Sequence, residues 1–248
     1  MNRVTFTICF VLLLSSQAFG LAPIGPASSG LAQGQFAIGT EYVKGDFKTE
    51  FKNYTIMFGD RGIQRLPGGN DVEFDLDVYF GKVSYGVSDE CLVFANLCQD
   101  VWGFGTKITV RESATCDWGL TARIDFLSGG DAIYSPVVIA GNWSYAELQF
   151  DFHTVQIATG PVYKIDGLRL YGGPFIFLAN GEGDFEGRYV YSDGMVEDIK
   201  SRWDIETEIE LGGYVGVSLE LFENLEVLAE YQITEDLGVF GAGLSFKF

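Results

Sequence analysis

The chain has 248 residues, which is enough for one large domain or two small ones. It carries 34 acidic and 16 basic residues and has a formal net charge of −18. A balance this acidic argues against nucleic acid as a partner and against attraction to anionic membrane surfaces, because both depend on basic side chains. The expected counter-charge is a divalent cation, held at acidic loops.

The first twenty residues have the parts of a secretory signal peptide. Arg3 supplies the positive start, an apolar run follows, and residues 18–20 are small at the positions that a signal peptidase reads. The apolar run is too short to serve as a membrane anchor. We therefore expect residues 1–20 to be a signal peptide cleaved after Gly20. Residues 21–34, rich in Pro, Gly and Ser, are expected to form a flexible leader.

From residue 35 onward the chain reads as one domain, 35–248, made of consecutive strands. Successive side chains of a strand point to opposite faces, and apolar and polar residues alternate accordingly. We predict ten strands, with eight or twelve as alternatives. Their ranges are 35–44, 72–86, 91–98, 104–112, 117–128, 145–165, 168–179, 203–222, 225–234 and 237–248. No long helical period interrupts them.

The stretch DVEFDLDVYF, residues 71–80, alternates strictly. Its apolar face comprises Val72, Phe74, Leu76, Val78 and Phe80, and its other face carries Glu73, Asp75, Asp77 and Tyr79. A soluble sandwich would turn the apolar face inward, whereas a membrane barrel would turn it outward to lipid. We expect the second arrangement, with the carboxylates in the lumen.

The connections between the predicted strands are uneven. Tight turns follow strands two, four, six and eight, whereas long loops follow strands one, five and seven, over 45–71, 129–144 and 180–202. Short turns at one end and long loops at the other are typical of bacterial outer-membrane barrels. The sequence therefore predicts an all-β protein: a single antiparallel up-and-down transmembrane β-barrel in the bacterial outer membrane.

Three segments carry a resemblance to known barrels. The C-terminal GAGLSFKF, in which Leu244, Phe246 and Phe248 alternate, resembles the signal that the barrel-assembly machinery recognises in outer-membrane barrels. YFGKVSYGVSDECLVFANL (79–97) and LRLYGGPFIF (168–177) are similar to segments of small barrels of the outer-membrane protein A and opacity-protein type. The resemblance implies insertion into the outer membrane and contact with its lipid and lipopolysaccharide. It implies no specific activity.

Outward apolar faces would leave a charged lumen. We predict an ionic network there, because the interior of a narrow barrel is filled by side chains and buried charges need partners. Its predicted members are Glu73, Asp75, Asp77, Lys107, Arg111, Arg123, Asp125, Glu206, Glu208, Glu210, Glu226 and Glu230. A filled lumen favours a structural or surface-interaction role. A narrow cation-preferring porin is the alternative.

Four tryptophans and the three cysteines that follow the signal peptide complete the predictions. Trp102, Trp118, Trp143 and Trp203 fall near predicted strand ends, as in interfacial aromatic girdles. Cys91 begins the third predicted strand and Cys116 lies in the next turn at the same end, and sequential hairpins are expected to put these two ends side by side. We therefore predict a disulfide between them, leaving Cys98 free.

A barrel enzyme is the lowest-ranked alternative. The single histidine, His153, lies in mid-strand with Asp151 on the same face, and no serine or second acidic pair completes an active site in the sequence. We therefore expect no enzymatic activity, no cofactor and no metal site, beyond divalent cations at the acidic loops.

Overall fold

The structure, a computed structural model, describes residues 22–58, 62–65, 71–98, 101–133, 142–190, 194–206, 209–235 and 237–248. Within 46–77 and 128–148, and at scattered further positions, it describes the backbone alone. The described residues contain no helix long and apolar enough to cross a bilayer. The strands are β1 (Phe36–Phe58), β2 (Gly62–Arg65), β3 (Asp71–Ser88), β4 (Cys91–Leu97), β5 (Val101–Arg111), β6 (Cys116–Ile133), β7 (Asn142–Ile165), β8 (Leu168–Val190), β9 (Val196–Glu206), β10 (Glu210–Phe222), β11 (Leu225–Ile233) and β12 (Leu237–Lys247).

These strands close into a ring of antiparallel pairs. β1 pairs with β3, each strand from β3 to β9 and from β10 to β12 pairs with the next, and β12 returns to pair with β1. β9 and β10 act as one strand, because both pair with β8, one after the other along its length. β2 is an addition that pairs only with the far end of β1. The predicted up-and-down barrel of ten strands is therefore confirmed.

Tight turns at 89–90, 166–167 and 223–224 mark what we call the turn end of the barrel; the opposite end is the loop end. Much of what we predicted as long loops at the loop end is strand instead. β1 continues to Phe58, β8 continues to Val190 and β9 begins at Val196. These strands extend further towards the loop end than the short β11–β12 hairpin does. Beyond that hairpin, β1 pairs directly with β9. The predicted loops are wrong in this respect because Gly and charged residues are compatible with strands that leave the lipid.

The outward face of the wall is apolar. Its large exposed side chains include Phe36, Ile38, Val83, Tyr85, Trp102, Phe104, Ile108, Trp118, Ile157, Leu170, Ile176, Leu211, Val215, Tyr231, Phe240, Leu244 and Phe246, which we call the outer belt. A band of apolar side chains around a closed barrel matches the hydrocarbon of a bilayer. Alternation correctly indicated this outward orientation in the segments 104–110 and 211–221.

The orientation predicted for residues 71–80 is wrong where side chains are described. Val78 and Phe80 are buried inside the barrel, at 3% and 1% exposure, whereas Tyr79 is 69% exposed on the outside. Lys82 and Ser84 continue the inward face of the same strand. The reason is that the lumen accepts large apolar side chains in this layer, so hydrophobicity alone does not identify the lipid face. The side chains of Glu73, Asp75 and Asp77 lie outside the described ones.

This orientation can be tested by comparing two neighbouring substitutions. Phe80→Ala should lower the free energy of unfolding by about 3–5 kcal/mol, because it leaves a cavity in a packed interior. Tyr79→Ala should cost only about 1 kcal/mol, the value of an aromatic pair, since Tyr79 faces outward against Tyr42 at 4.7 Å between ring centroids. Urea unfolding of the barrel in lipid vesicles measures both. Equal losses, or a larger loss for Tyr79, would contradict the inward placement of Phe80.

Candidate functional site

The lumen contains the chain's own N-terminal segment. Residues 22–31, which we call the plug segment, run inside the barrel before the chain reaches β1 at the turn end. Ala22, Ile24, Ala27 and Leu31 are each at most 5% exposed. The flexible leader expected over 21–34 therefore occupies a defined position, with its apolar side chains packed against the wall.

Charged wall residues bind the plug segment through its backbone. Both oxygens of the Glu230 carboxylate accept hydrogen bonds, one from the N–H of Ile24 and one from the N–H of Gly25, each at 2.7 Å. Lys107 Nζ donates to the Pro26 carbonyl at 2.9 Å. These contacts follow from a general requirement: backbone groups that are buried outside any strand need other partners.

A third clamp lies at the start of the plug segment. Arg123 Nη1 donates to the Ala22 carbonyl at 2.6 Å, and Gln232 Nε2 reaches the same oxygen at 3.4 Å. Gln232 also donates to the Glu230 carboxylate at 2.7 Å, so neighbouring clamps are connected. The plug segment is thus held at successive points by charge-assisted hydrogen bonds, which are stronger than neutral ones.

The wall is shaped to receive the plug segment. A Cβ placed on Gly119 would lie 2.3 Å from the Ala27 carbonyl carbon, and one on Gly241 would lie 2.4 Å from Pro23 Cγ. No side chain fits at either position while the plug segment stays in place. These glycines are therefore niches that permit close approach of two backbones.

Ion pairs fill the middle of the lumen beside the plug segment. Lys82 Nζ lies 2.7 Å from Glu41 Oε1, and Glu41 is 3% exposed. Arg123 Nε lies 2.6 Å from Asp125 Oδ2, with both side chains almost fully buried. Buried charges of opposite sign are expected to pair, because an isolated buried charge is very costly.

A second group of ion pairs lies at the turn-end mouth. Arg169 and Lys247 both contact Glu220 at 2.8 Å, and both also contact Glu226, at 3.0 and 3.3 Å. This network ties the start of β8 to the end of the chain. Nearby, β6 and β7 are joined by a separate pair between Asp117 and Lys164 at 2.8 Å.

The structure brings together part of the predicted ionic network. Lys107, Arg123, Asp125, Glu226 and Glu230 all lie buried in the lumen. Arg111 is exposed at the end of β5. Glu210 lies on the inward face of β10, in register with the buried Phe177 of β8, and accepts a hydrogen bond from Thr234. The side chains of Glu73, Asp75, Asp77 and Glu206, and the whole of Glu208, lie outside the described residues.

The sequence analysis missed several members of these pairs. They are Glu41, Lys82, Asp117, Lys164, Glu220 and Lys247. A signal for Glu41 was present, since it alternates with the outward Phe36, Ile38 and Tyr42 in the first predicted strand. The contacts with the plug segment had no such signal, because they are made to backbone atoms.

The predicted disulfide between Cys91 and Cys116 is not formed. All three described cysteines are free. Cys91 begins β4 and Cys116 begins β6, and β5 lies between them. Strands two positions apart are separated by about 10 Å, which exceeds the reach of a disulfide. The error came from treating alternate turn-end positions as adjacent ones.

The remaining predicted side chains that the structure describes lie on the outer face. Trp102 and Trp118 are exposed there, and Trp102 stacks on Phe126 with ring centroids 4.4 Å apart. The side chains of Trp143 and Trp203 lie outside the described ones. Leu244, Phe246 and Phe248 also face outward and are at least 38% exposed, so the proposed assembly signal is accessible in the folded wall.

His153 lies on the outer face of β7 rather than in the lumen. Its ring is 6.3 Å from Phe126, between ring centroids. The β6–β7 register runs through this region without a shift. In the described residues, no group of three or more His, Cys, Asp or Glu side chains is arranged to hold a metal.

Beyond the outer belt, β8 and β9 carry a ladder of exposed ion pairs. The pairs are Arg188–Asp198, Lys200–Glu186 and Arg202–Glu182, and their side chains are all more than half exposed. Outward-facing charges of this density belong in water rather than in lipid. This part of the barrel therefore extends past the membrane on the loop side. The hydrogen bond from Arg188 lowers the pKa of the Asp198 carboxyl below its ordinary value.

Comparisons with known proteins find similar folds at low sequence identity. No family profile and no curated protein matches the chain. Solved structures with a similar fold include the attachment invasion locus protein Ail of Yersinia pestis, at 15% identity over 87% of this chain and 99% of Ail, with a TM-score of 0.28. The outer membrane protease OmpT of Escherichia coli is 10% identical over 86% of this chain and 96% of OmpT, with a TM-score of 0.46.

The N-terminal β-barrel domain of Pseudomonas aeruginosa OprF is 12% identical over 88% of this chain and all of that domain, with a TM-score of 0.28. Likenesses this distant carry nothing about activity. The closed antiparallel ring and the apolar outer belt define the chain as a β-barrel of the bacterial outer-membrane type.

The fit between wall and plug segment predicts the effect of Gly119→Ala. The added Cβ clashes with the Ala27 backbone, so the plug segment must shift, at a cost of about 1–3 kcal/mol in unfolding free energy. Gly81→Ala is the matched control, because its Cβ would lie 3.6 Å from the Leu97 carbonyl oxygen, an ordinary contact. Urea unfolding in vesicles compares the two. Equal stability of both variants would contradict a tightly seated plug segment.

The exposed ladder predicts a local titration. Arg188→Gln removes the hydrogen bond to Asp198 and should return the pKa of Asp198 towards the ordinary value of about 3.9. A lowered carboxyl pKa contributes stability above the unfolded-state value and loses it as the pH falls through the folded-state value. NMR titration of labelled aspartate carboxyls measures the change. Lys200→Gln is the control and should move this pKa less, and an unchanged pKa in Arg188→Gln would contradict the pairing.

Proposed function

We propose that the protein is a sealed outer-membrane barrel with a structural or surface-interaction role. The observation that carries the proposal is the plug segment, which lies in the lumen and is bound by Glu230, Lys107 and Arg123. In this proposal the plug segment and its clamps block the flow of ions through the lumen. Function is then expected at the two ends and on the outer surface of the barrel.

The charge balance of the lumen supports this proposal. The charged side chains that bind the plug segment or pair beside it balance: three bases, Lys82, Lys107 and Arg123, against three acids, Glu41, Asp125 and Glu230. The chain as a whole has a net charge of −18, so its excess acid lies elsewhere. A balanced interior suits internal pairing better than selective attraction of one ion.

The loop end supplies the surface for interaction. β1, β8 and β9 extend past the outer belt and carry exposed charges, which places polar strand surface outside the lipid. The proposed contacts there are lipopolysaccharide and divalent cations. Such cations can bridge acidic groups of the barrel to acidic groups of lipopolysaccharide. The proposed contact during biogenesis is the barrel-assembly machinery, through Leu244, Phe246 and Phe248.

A narrow cation-preferring porin is the second candidate. An open space beside the plug segment favours this candidate. A cavity of about 560 Å³ opens at the turn-end mouth and is lined by Asp89, Glu112, Asp117 and Glu220 among others. Acids outnumber bases at this mouth, so cations would gather there. Conduction would still require the plug segment to leave its clamps.

Planar-bilayer recording separates the two candidates. The wild-type barrel should insert without stepwise conductance, and the double variant Glu230→Ala/Lys107→Ala should show conductance because two clamps of the plug segment are lost. Glu220→Ala is the control; it removes an acid at the mouth and leaves the clamps, so it should stay silent. A conducting wild type with a reversal potential shifted towards cations would replace the sealed barrel with the porin.

A further inference from the structure

Three buried polar side chains form a row across the inner wall. Asn96, Asp125 and Thr154 lie at matching positions of β4, β6 and β7: Asn96 pairs with Gly103 of β5, Gly103 pairs with Asp125, and Asp125 pairs with Thr154. Their exposures are 0%, 4% and 8%. We call these three side chains the polar row.

Most polar atoms of the polar row lack a hydrogen-bond partner. The unpartnered atoms are both amide atoms of Asn96, Oδ1 of Asp125 and the hydroxyl of Thr154, whereas Oδ2 of Asp125 is paired with Arg123. Buried polar groups in folded proteins are almost always hydrogen-bonded, so a row of unpartnered atoms on one wall of the lumen indicates a missing occupant. Acceptor oxygens predominate among them, and the occupant should therefore donate hydrogen bonds.

The glycine between two members brings the row together. A Cβ on Gly103 would lie 1.9 Å from Asp125 Oδ1. The Asp125 carboxylate thus lies across β5, over the space that Gly103 leaves empty, on the side where Asn96 stands. Neighbouring strands are about 4.8 Å apart, so this position brings the carboxylate one strand closer to Asn96.

The described end of the plug segment lies next to the polar row. Arg123 connects the two, because its Nη1 donates to the Ala22 carbonyl at 2.6 Å while its Nε lies 2.6 Å from Asp125 Oδ2. Ala22 is fully buried. Ala22 and Asp125 therefore contact the same guanidinium, and one further residue extends the chain by about 3.8 Å between Cα atoms.

We propose that the polar row binds the α-ammonium group of the processed chain. The proposal rests on the predicted cleavage after Gly20. In that step water hydrolyses the Gly20–Leu21 peptide bond at the signal peptidase: the carboxylate remains on Gly20, which departs with the signal peptide, and the new ammonium is on Leu21. Its N–H donors match the acceptor oxygens of Asp125 and Asn96, which the position of the Asp125 carboxylate over Gly103 brings closer together.

A tethered ammonium fits the polar row better than a free metal ion. Ca²⁺ takes about six to eight oxygen ligands, more than these side chains provide, and the Arg123 guanidinium beside Asp125 repels a divalent cation about twice as strongly as a monovalent ammonium. The ammonium is delivered by a plug segment that is already bound, so its effective concentration is high. Cleavage would then separate the chain from its signal peptide and also create the ammonium group that fills the polar row.

Amine labelling of the purified, folded barrel tests this proposal. Near neutral pH an acetylating reagent prefers an α-amine of pKa about 8 to lysines of pKa about 10.4, and mass spectrometry of the N-terminal peptide follows the reaction at Leu21. In the folded wild type this reaction should be at least about tenfold slower than in the unfolded chain. Asp125→Asn should restore most of the reactivity, because it removes the negative charge and presents an amide to the ammonium.

Asp117→Asn is the matched control. Asp117 lies on the same strand, is also 4% exposed and has its own partner, Lys164, so this variant should keep the protection of Leu21. The proposal is overturned if the mature chain retains residues before Leu21, or if the wild-type amine reacts equally fast folded and unfolded. It is also overturned if Asp125→Asn and Asp117→Asn protect the amine equally. The comparison of folded and unfolded wild type decides the matter even if a variant does not fold.

Discussion

The antiparallel pairing of β12 with β1 is the interaction on which the rest of the structure depends. It closes the ring, so that each strand of the wall has a partner on both sides. In lipid there is no water to satisfy exposed backbone groups, and a closed barrel is one of the few structures that can span a membrane. Closure also creates an interior that must be filled. Everything described for the lumen answers that second requirement.

The chain fills its lumen with its own backbone as well as with side chains. The plug segment has few polar side chains, and its buried peptide groups depend on the wall for hydrogen bonds. Glu230, Lys107 and Arg123 supply them, while Gly119 and Gly241 leave room for the chain to approach. Charges in this interior therefore have a structural use that does not require conduction. That is why a charged lumen alone is a poor indicator of a porin.

Much of the fold was predictable from the sequence. Alternation located the strands, and outward residues such as Phe104, Ile108 and Leu211 face outward as expected. The prediction failed at Val78 and Phe80, because alternation separates two faces without saying which one the lumen will receive. It also stopped the strands too early at the loop end. There the outward face becomes charged, as at Arg188, and the apolar alternation that marks a lipid-facing strand disappears.

The sequence by itself determined a single antiparallel barrel with an apolar outer surface, because the period of two is a local property of each strand. Only the tertiary structure decided the contents of the lumen. The plug segment lacks periodicity, and its position follows from contacts with residues about one hundred or more positions away in the chain, such as Arg123 and Glu230. The tertiary structure also decided that Cys91 and Cys116 stay apart, since β5 lies between them. These outcomes depend on which strands become neighbours, and no local pattern records that.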